Sequence, residues 1–109
     1  MSDDAIMRFT RLVLFQAQQD HAQELVVASS AVGGSPIKYK VSGTWHDFSP
    51  PPSEIMPEVV AELARLAEAT EGRFPKEGSI DEAFSGIRLR WKFRMPSAGA
   101  ACVLTPIQE

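Results

Sequence analysis

Between residues 86 and 96 apolar and charged positions alternate without interruption. Ile87, Leu89, Trp91, Phe93 and Met95 interleave with Arg88, Arg90, Lys92 and Arg94. A β-strand sends successive side chains to opposite faces, so this stretch predicts five apolar groups on one side and four cations on the other. A sheet built around it would have one face on a core and one open to water or a partner. Residues 37–42 repeat the theme: Ile37, Tyr39 and Val41 alternate with Lys38, Lys40 and Ser42. Leu25, Val26, Val27 and Ala28 form a short run with β-branched members, which predicts a buried strand. Thr44 to Phe48 predicts a return strand after the Ser42-Gly43 turn, because glycine tolerates the positive φ of a tight hairpin. Residues 79–84 and 101–105 complete the set of strands, the latter with Val103 and Leu104 expected to be buried.

Two segments carry the helical period instead. Ile6, Phe9, Leu12, Val13 and Ala17 recur at helical spacing over residues 3–21, widened by Leu14 and Phe15, with Arg8, Arg11, Gln18 and Gln19 on the wetter side. Asp3 and Asp4 suit the first turn, where negative charge is favoured. A second helix is expected to open at Ser53 or Glu54, with Pro57 in the first turn, where its missing N–H costs least. Ile55, Val59, Leu63 and Leu66 form its apolar stripe, flanked by Val60, Ala64 and Ala67. Glu58, Glu62, Arg65, Glu68 and Glu71 are expected to face water, and Gly72 to stop the helix. Pro50-Pro51-Pro52 reads as a stiff connector, and residues 30–36 and 73–78 as loops.

The expected order is therefore αβββαβββ. Strands joined by short turns form antiparallel ladders. The fold class is α+β, a two-layer sandwich with two helices on one face of a mainly antiparallel sheet, in one domain over residues 1–109. The cations of both amphipathic strands then share the opposite face. Lys38, Lys40, Arg88, Arg90, Lys92 and Arg94 are the expected partner-binding residues.

Charge and chemistry narrow this further. The net charge is −3, so the molecule as a whole is not drawn to nucleic acid or anionic lipid, and a basic site must be local. Trp91 and Phe93 point away from the cations, whereas a base-stacking surface needs both together, which argues against nucleic acid. Two readings of the cations stay open: docking on an acidic protein, or a solvated strand face without a partner, whose charges discourage edge pairing. Cys102 is the single cysteine and cannot form an internal disulfide; with an acidic N-terminus and no long apolar run, the cytoplasm is the expected compartment, without membrane insertion. Two histidines and one cysteine do not make a metal set, and no cofactor motif is present: Gly33-Gly34-Ser35 lacks the lysine of a phosphate-binding loop. Glu58 and Glu62 lie four apart on a helix, but an exposed acidic face does not separate two pKa values for acid–base work. No activated nucleophile accompanies them, so no catalytic residue is assigned and no enzymatic activity is expected.

Several short motifs, in order, resemble the second N-terminal domain of the type II secretion and type IV pilus assembly ATPases. Ala22-Gln23-Glu24-Leu25-Val26 takes the place of that domain's first strand. Lys38-Tyr39-Lys40-Val41-Ser42-Gly43 is similar to its basic strand and turn, residues 50–69 to its proline-led helix, and Arg73-Phe74-Pro75-Lys76-Glu77-Gly78-Ser79 to its Arg-x-Pro-Gln-Asp-Gly-Arg loop. Arg90-Trp91-Lys92, Pro96-Ser97 and Gly99-Ala100 follow its closing segment. In that family the domain precedes a catalytic core with a phosphate-binding loop; these 109 residues contain no such core, Ser79 stands in place of the loop's last arginine, Ala100 in place of a glutamate, and Val26 in place of a strand histidine. The resemblance thus implies the fold and a role in protein interaction, with a secretion or pilus component as partner, and not ATPase activity. It also implies Arg73 and Arg90 as contacts at a domain junction. The alternative function is a small ligand- or nucleotide-sensing domain, with Tyr39, Trp45 and Trp91 lining a pocket.

Overall fold

The computed structural model of the chain describes residues 3–28, 35–48, 55–69, 74–97 and 101–107. Two identical dipeptides set its hairpins. Ser42-Gly43 and Ser85-Gly86 each place both residues at positive φ (50° and 81°; 51° and 82°). Two consecutive positive φ values define the two-residue turn whose twist matches that of the flanking strands. The first joins β2 (Ile37–Val41) to β3 (Thr44–Asp47), and the second joins β4 (Lys76–Phe84) to β5 (Ile87–Met95). With β1 (Glu24–Val27) and β6 (Cys102–Pro106) they form one six-stranded sheet, in the order β3-β2-β1-β6-β5-β4, antiparallel throughout. Helices α1 (Asp3–Gln19) and α2 (Met56–Leu66) complete the αβββαβββ order and pack against each other and the sheet.

The core lies between the helices and one sheet face. Leu89, Trp91 and Phe93 of β5 are buried with Ile80 of β4, Cys102 and Leu104 of β6, Leu25 and Val27 of β1 and Ile37 of β2. Val13, Leu14 and Ala17 of α1 and Met56, Val59 and Leu63 of α2 close over them. Ile55 at the N-cap of α2 makes no side-chain cap; Pro57 in the first turn and Glu58 beside it favour initiation there. The expected opening at Ser53 or Glu54 lies outside the described residues, as do Gly33, Gly34, residues 50–52, Glu71 and Gly72.

Three expectations need correction. Residues 76–78 are strand rather than loop. Gly78 is what lets β4 begin early: a Cβ there would lie 2.1 Å from the Ala67 carbonyl oxygen, so only glycine permits the end of α2 to rest on the strand, where that same oxygen accepts the Ser79 N–H at 3.2 Å. Leu12, expected on the apolar face of α1, is 43% exposed. Thr10 is buried in its stead and returns its hydroxyl to the Ile6 carbonyl at 2.8 Å. Glu62, expected in water, is 8% exposed. The reason is Arg11 of α1, which reaches Glu62 on α2 and Glu82 on β4, each at 3.3 Å, while Arg65 holds Glu62 at 2.6 Å. Three elements are thereby tied through one guanidinium, that of Arg11.

Candidate interaction face

The helix-free face of the sheet is built by strand alternation alone. Since Leu89, Trp91 and Phe93 point inward, Arg88, Arg90, Lys92 and Arg94 must point outward. The same logic turns Lys38 and Lys40 outward from β2, because Ile37 lies in the core. All six expected cations therefore share one face. They do not form one cluster. Strands β2 and β5 are separated by β1 and β6, so the cations stand in two groups either side of the sheet's centre.

Register fixes their neighbours. Opposite Arg94 lies Glu77, opposite Arg90 lies Asp81, and opposite Lys38 lies Asp47. Arg88 reaches diagonally to Asp81, Nε to Oδ1 at 2.5 Å, and Arg94 Nε lies 3.5 Å from Glu77 Oε1. Both pairs are largely in water, so each holds by about 1 kcal/mol or less. Lys40 Nζ stands 6.0 Å from the Trp45 ring. Directly opposite Lys92 lie hydroxyls rather than carboxylates, Ser79 on β4 and Thr105 on β6, as Ala83 lies opposite Arg88. Around it lies an open depression of about 770 Å³ lined by Glu77, Ser79, Lys92, Arg94, Val103 and Thr105 with the nearby backbone and Pro96.

Other expected groups separate. Arg73 lies outside the described residues. Tyr39, Trp45 and Trp91 do not converge on a pocket: Trp91 is wholly buried, Tyr39 turns to the helix side against Phe48 and His46, and Trp45 is 46% exposed on the cationic side. His46 and Asp47, adjacent in β3, take opposite faces as alternation requires. Among the described residues no group of three or more His, Cys, Asp or Glu side chains converges as a metal site would. Cys102 is fully buried, donates its thiol to the Val27 carbonyl at 3.3 Å, and is pushed up to about 12 in pKa by that burial, which makes it a packing residue without thiolate reactivity at neutral pH. Among the described residues no helix is long and apolar enough to cross a membrane.

Sequence reasoning missed the residues between the two cation groups. Val26 on β1 and Val103 on β6 are direct cross-strand partners on the outer face. Val103, expected to be buried with Leu104, turns outward instead, because Cys102 and Leu104 on either side of it take the core positions; its meeting with Val26 needed the strand order. No protein-family model matches the sequence, and no curated protein matches it significantly.

Proposed function

We propose that this chain is a non-catalytic protein-interaction domain whose helix-free sheet face docks an acidic partner protein. One observation carries the reading. Among the described residues, six strand cations and four strand carboxylates (Glu24, Asp47, Glu77 and Asp81) share that face, a local excess of positive charge on a molecule of net charge −3. Charge segregated this way steers an acidic surface to one side of the protein and repels it from the others. Lys92 strengthens the case, since no carboxylate faces it across either neighbouring strand. The motif order shared with the secretion and pilus ATPases supports a place in such an assembly, with one of its components as partner and the cytoplasm as the setting.

The test is binding to poly-L-glutamate, followed by anisotropy at low and physiological salt. Reversing Arg88, Arg90, Lys92 and Arg94 to glutamate should abolish binding while circular dichroism stays unchanged. Equal binding by the reversed variant would overturn the reading.

A further inference from the structure

The register can be followed along one line across the whole sheet. Asp47 on β3 faces Lys38 on β2; Lys38 faces Val26 on β1; Val26 faces Val103 on β6; Val103 faces Arg94 on β5; Arg94 faces Glu77 on β4. The row reads acid, base, valine, valine, base, acid, the same from either edge. Nothing in the sequence announces this, because the six residues come from six strands spread between positions 26 and 103.

That symmetry constrains what the face can hold. A second copy turned over onto it, by a two-fold axis along the row or along the strands, sets base on base and acid on acid. Like charges placed opposite one another cost binding energy, so in-register self-pairing is disfavoured. The complement of the row is a ligand with two acids flanking an apolar centre. Lys38 and Arg94 are three strand spacings apart, about 14 Å. In an extended chain residues i and i+4 are separated by about 13.6 Å, and residue i+2 falls midway on the same side. The geometry points to an extended acidic peptide of the form Glu-x-Φ-x-Glu, where Φ is a large apolar residue, lying across the strands with Φ over Val26 and Val103 and its carboxylates on Lys38 and Arg94.

This rests on the reading of the face as an acidic-partner site and specifies that partner's segment. The exposed pair between Arg94 and Glu77 is weak enough for the ligand's carboxylate to displace Glu77. The depression beside Arg94 leaves room for the peptide's outgoing end. The valines contribute the spacing preference that charge alone does not, since an apolar contact fixes where along the chain the ligand sits.

The experiment uses two fluorescent synthetic peptides of equal composition, one with leucine midway between glutamates four apart, the other with the same residues reordered so that the glutamates are adjacent. Anisotropy should show the matched peptide binding at least tenfold more tightly. Lys38→Glu with Arg94→Glu should reduce that binding at least tenfold, and Val103→Asp should erase the difference between peptides. Lys38→Gln with Arg94→Gln tests the same contacts should the reversals disturb folding. Equal binding of both peptides, lost on charge reversal, overturns the spacing inference and leaves the acidic-partner reading standing. No binding of either peptide, with poly-L-glutamate still bound, overturns the inference alone. Displacement of the matched peptide by single-stranded poly-U at lower concentration than by poly-L-glutamate overturns both.

Discussion

The two edges of the sheet are made by the same device and end in opposite circumstances. Each edge strand is half of a hairpin closed by Ser-Gly at positive φ. On one edge, β4 is nine residues long, buries Ile80, and has the end of α2 resting on it through the Ala67 carbonyl. On the other, β3 is four residues long and exposed along its whole length. Turn chemistry therefore builds a hairpin but does not decide its burial. What decides it is whether the inward positions offer something to bury: β4 offers Ile80 and Phe84, whereas β3 turns Thr44 and His46 inward. A short strand is also a safer exposed edge, because it presents few unpaired backbone groups to another chain.

The sharpest break of that contrast is a methyl group on each edge. Gly78→Ala drives a Cβ into the Ala67 carbonyl and should cost about 3 kcal/mol or more. Gly43→Ala in the opposite hairpin meets none of the described residues within 4 Å and costs only what its positive φ does, about 1 kcal/mol. Thermal melts of the two variants should therefore differ by roughly 8 °C or more; equal melts would mean that α2 does not hold β4 as described.

Next in size is Glu62, the α2 carboxylate in the Arg11-centred tie of α1, α2 and β4. The hydrogen bond from Arg65, with Arg11 beside it, holds the Glu62 pKa below the ordinary 4.5 despite partial burial. Its native-state pKa is thus depressed, so its contribution is present above the unfolded value and is lost as pH falls through the folded one. Glu62→Gln should cost about 2 kcal/mol at pH 7, discounted because Arg65 is largely in water. Urea melts between pH 7 and pH 3 should show the variant losing less stability on acidification than the parent. A parallel loss in both would count against the tie.

Smaller again is the test at Trp91. Its Nε1–H is buried with no hydrogen-bond partner among the described residues, a group that opposes folding by about 1–3 kcal/mol. Trp91→Phe loses ring volume but removes that donor, and should cost about 1 kcal/mol, well short of the 3–5 expected for Trp91→Ala. Chemical denaturation of both variants reads the difference. Trp45→Ala on β3 should move stability by no more than about 0.5 kcal/mol, since its ring is half in water on the sheet face away from the core. A larger loss would show that the exposed hairpin is held by contacts on the cationic side.

How far the sequence carried these conclusions depends on whether the interactions were local. The inward and outward faces of β5 followed from period two, and both Ser-Gly turns sit where the alternating runs break. The start of β4 was hidden because Lys76, Glu77 and Gly78 have no apolar member, and the residue that makes them strand is a glycine chosen for what lies across from it. Glu62 was legible in part. It falls three after Val59 and four before Leu66, close to the apolar stripe, but its partner Arg11 is 51 residues away. The six cations were found because each lies on a strand with a clear period. Their division into two groups, and the valine pair between them, are properties of strand order, which hydropathy does not encode.

One contact near the end of α1 has a structural consequence of its own. Strand β6 pairs with β5 only from Trp91 to Arg94, leaving the earlier part of β5 without that neighbour. There the Gln18 side chain donates to the Arg88 carbonyl at 2.8 Å and accepts the Arg90 N–H at 3.4 Å. A primary amide carries the same donor and acceptor as a peptide group, so Gln18 works as a one-residue plug, closing a slot that a foreign segment would otherwise enter. Leucine at that position would fill the space yet leave the slot chemically open, and the variant's tendency to aggregate on storage would report how much the plug protects.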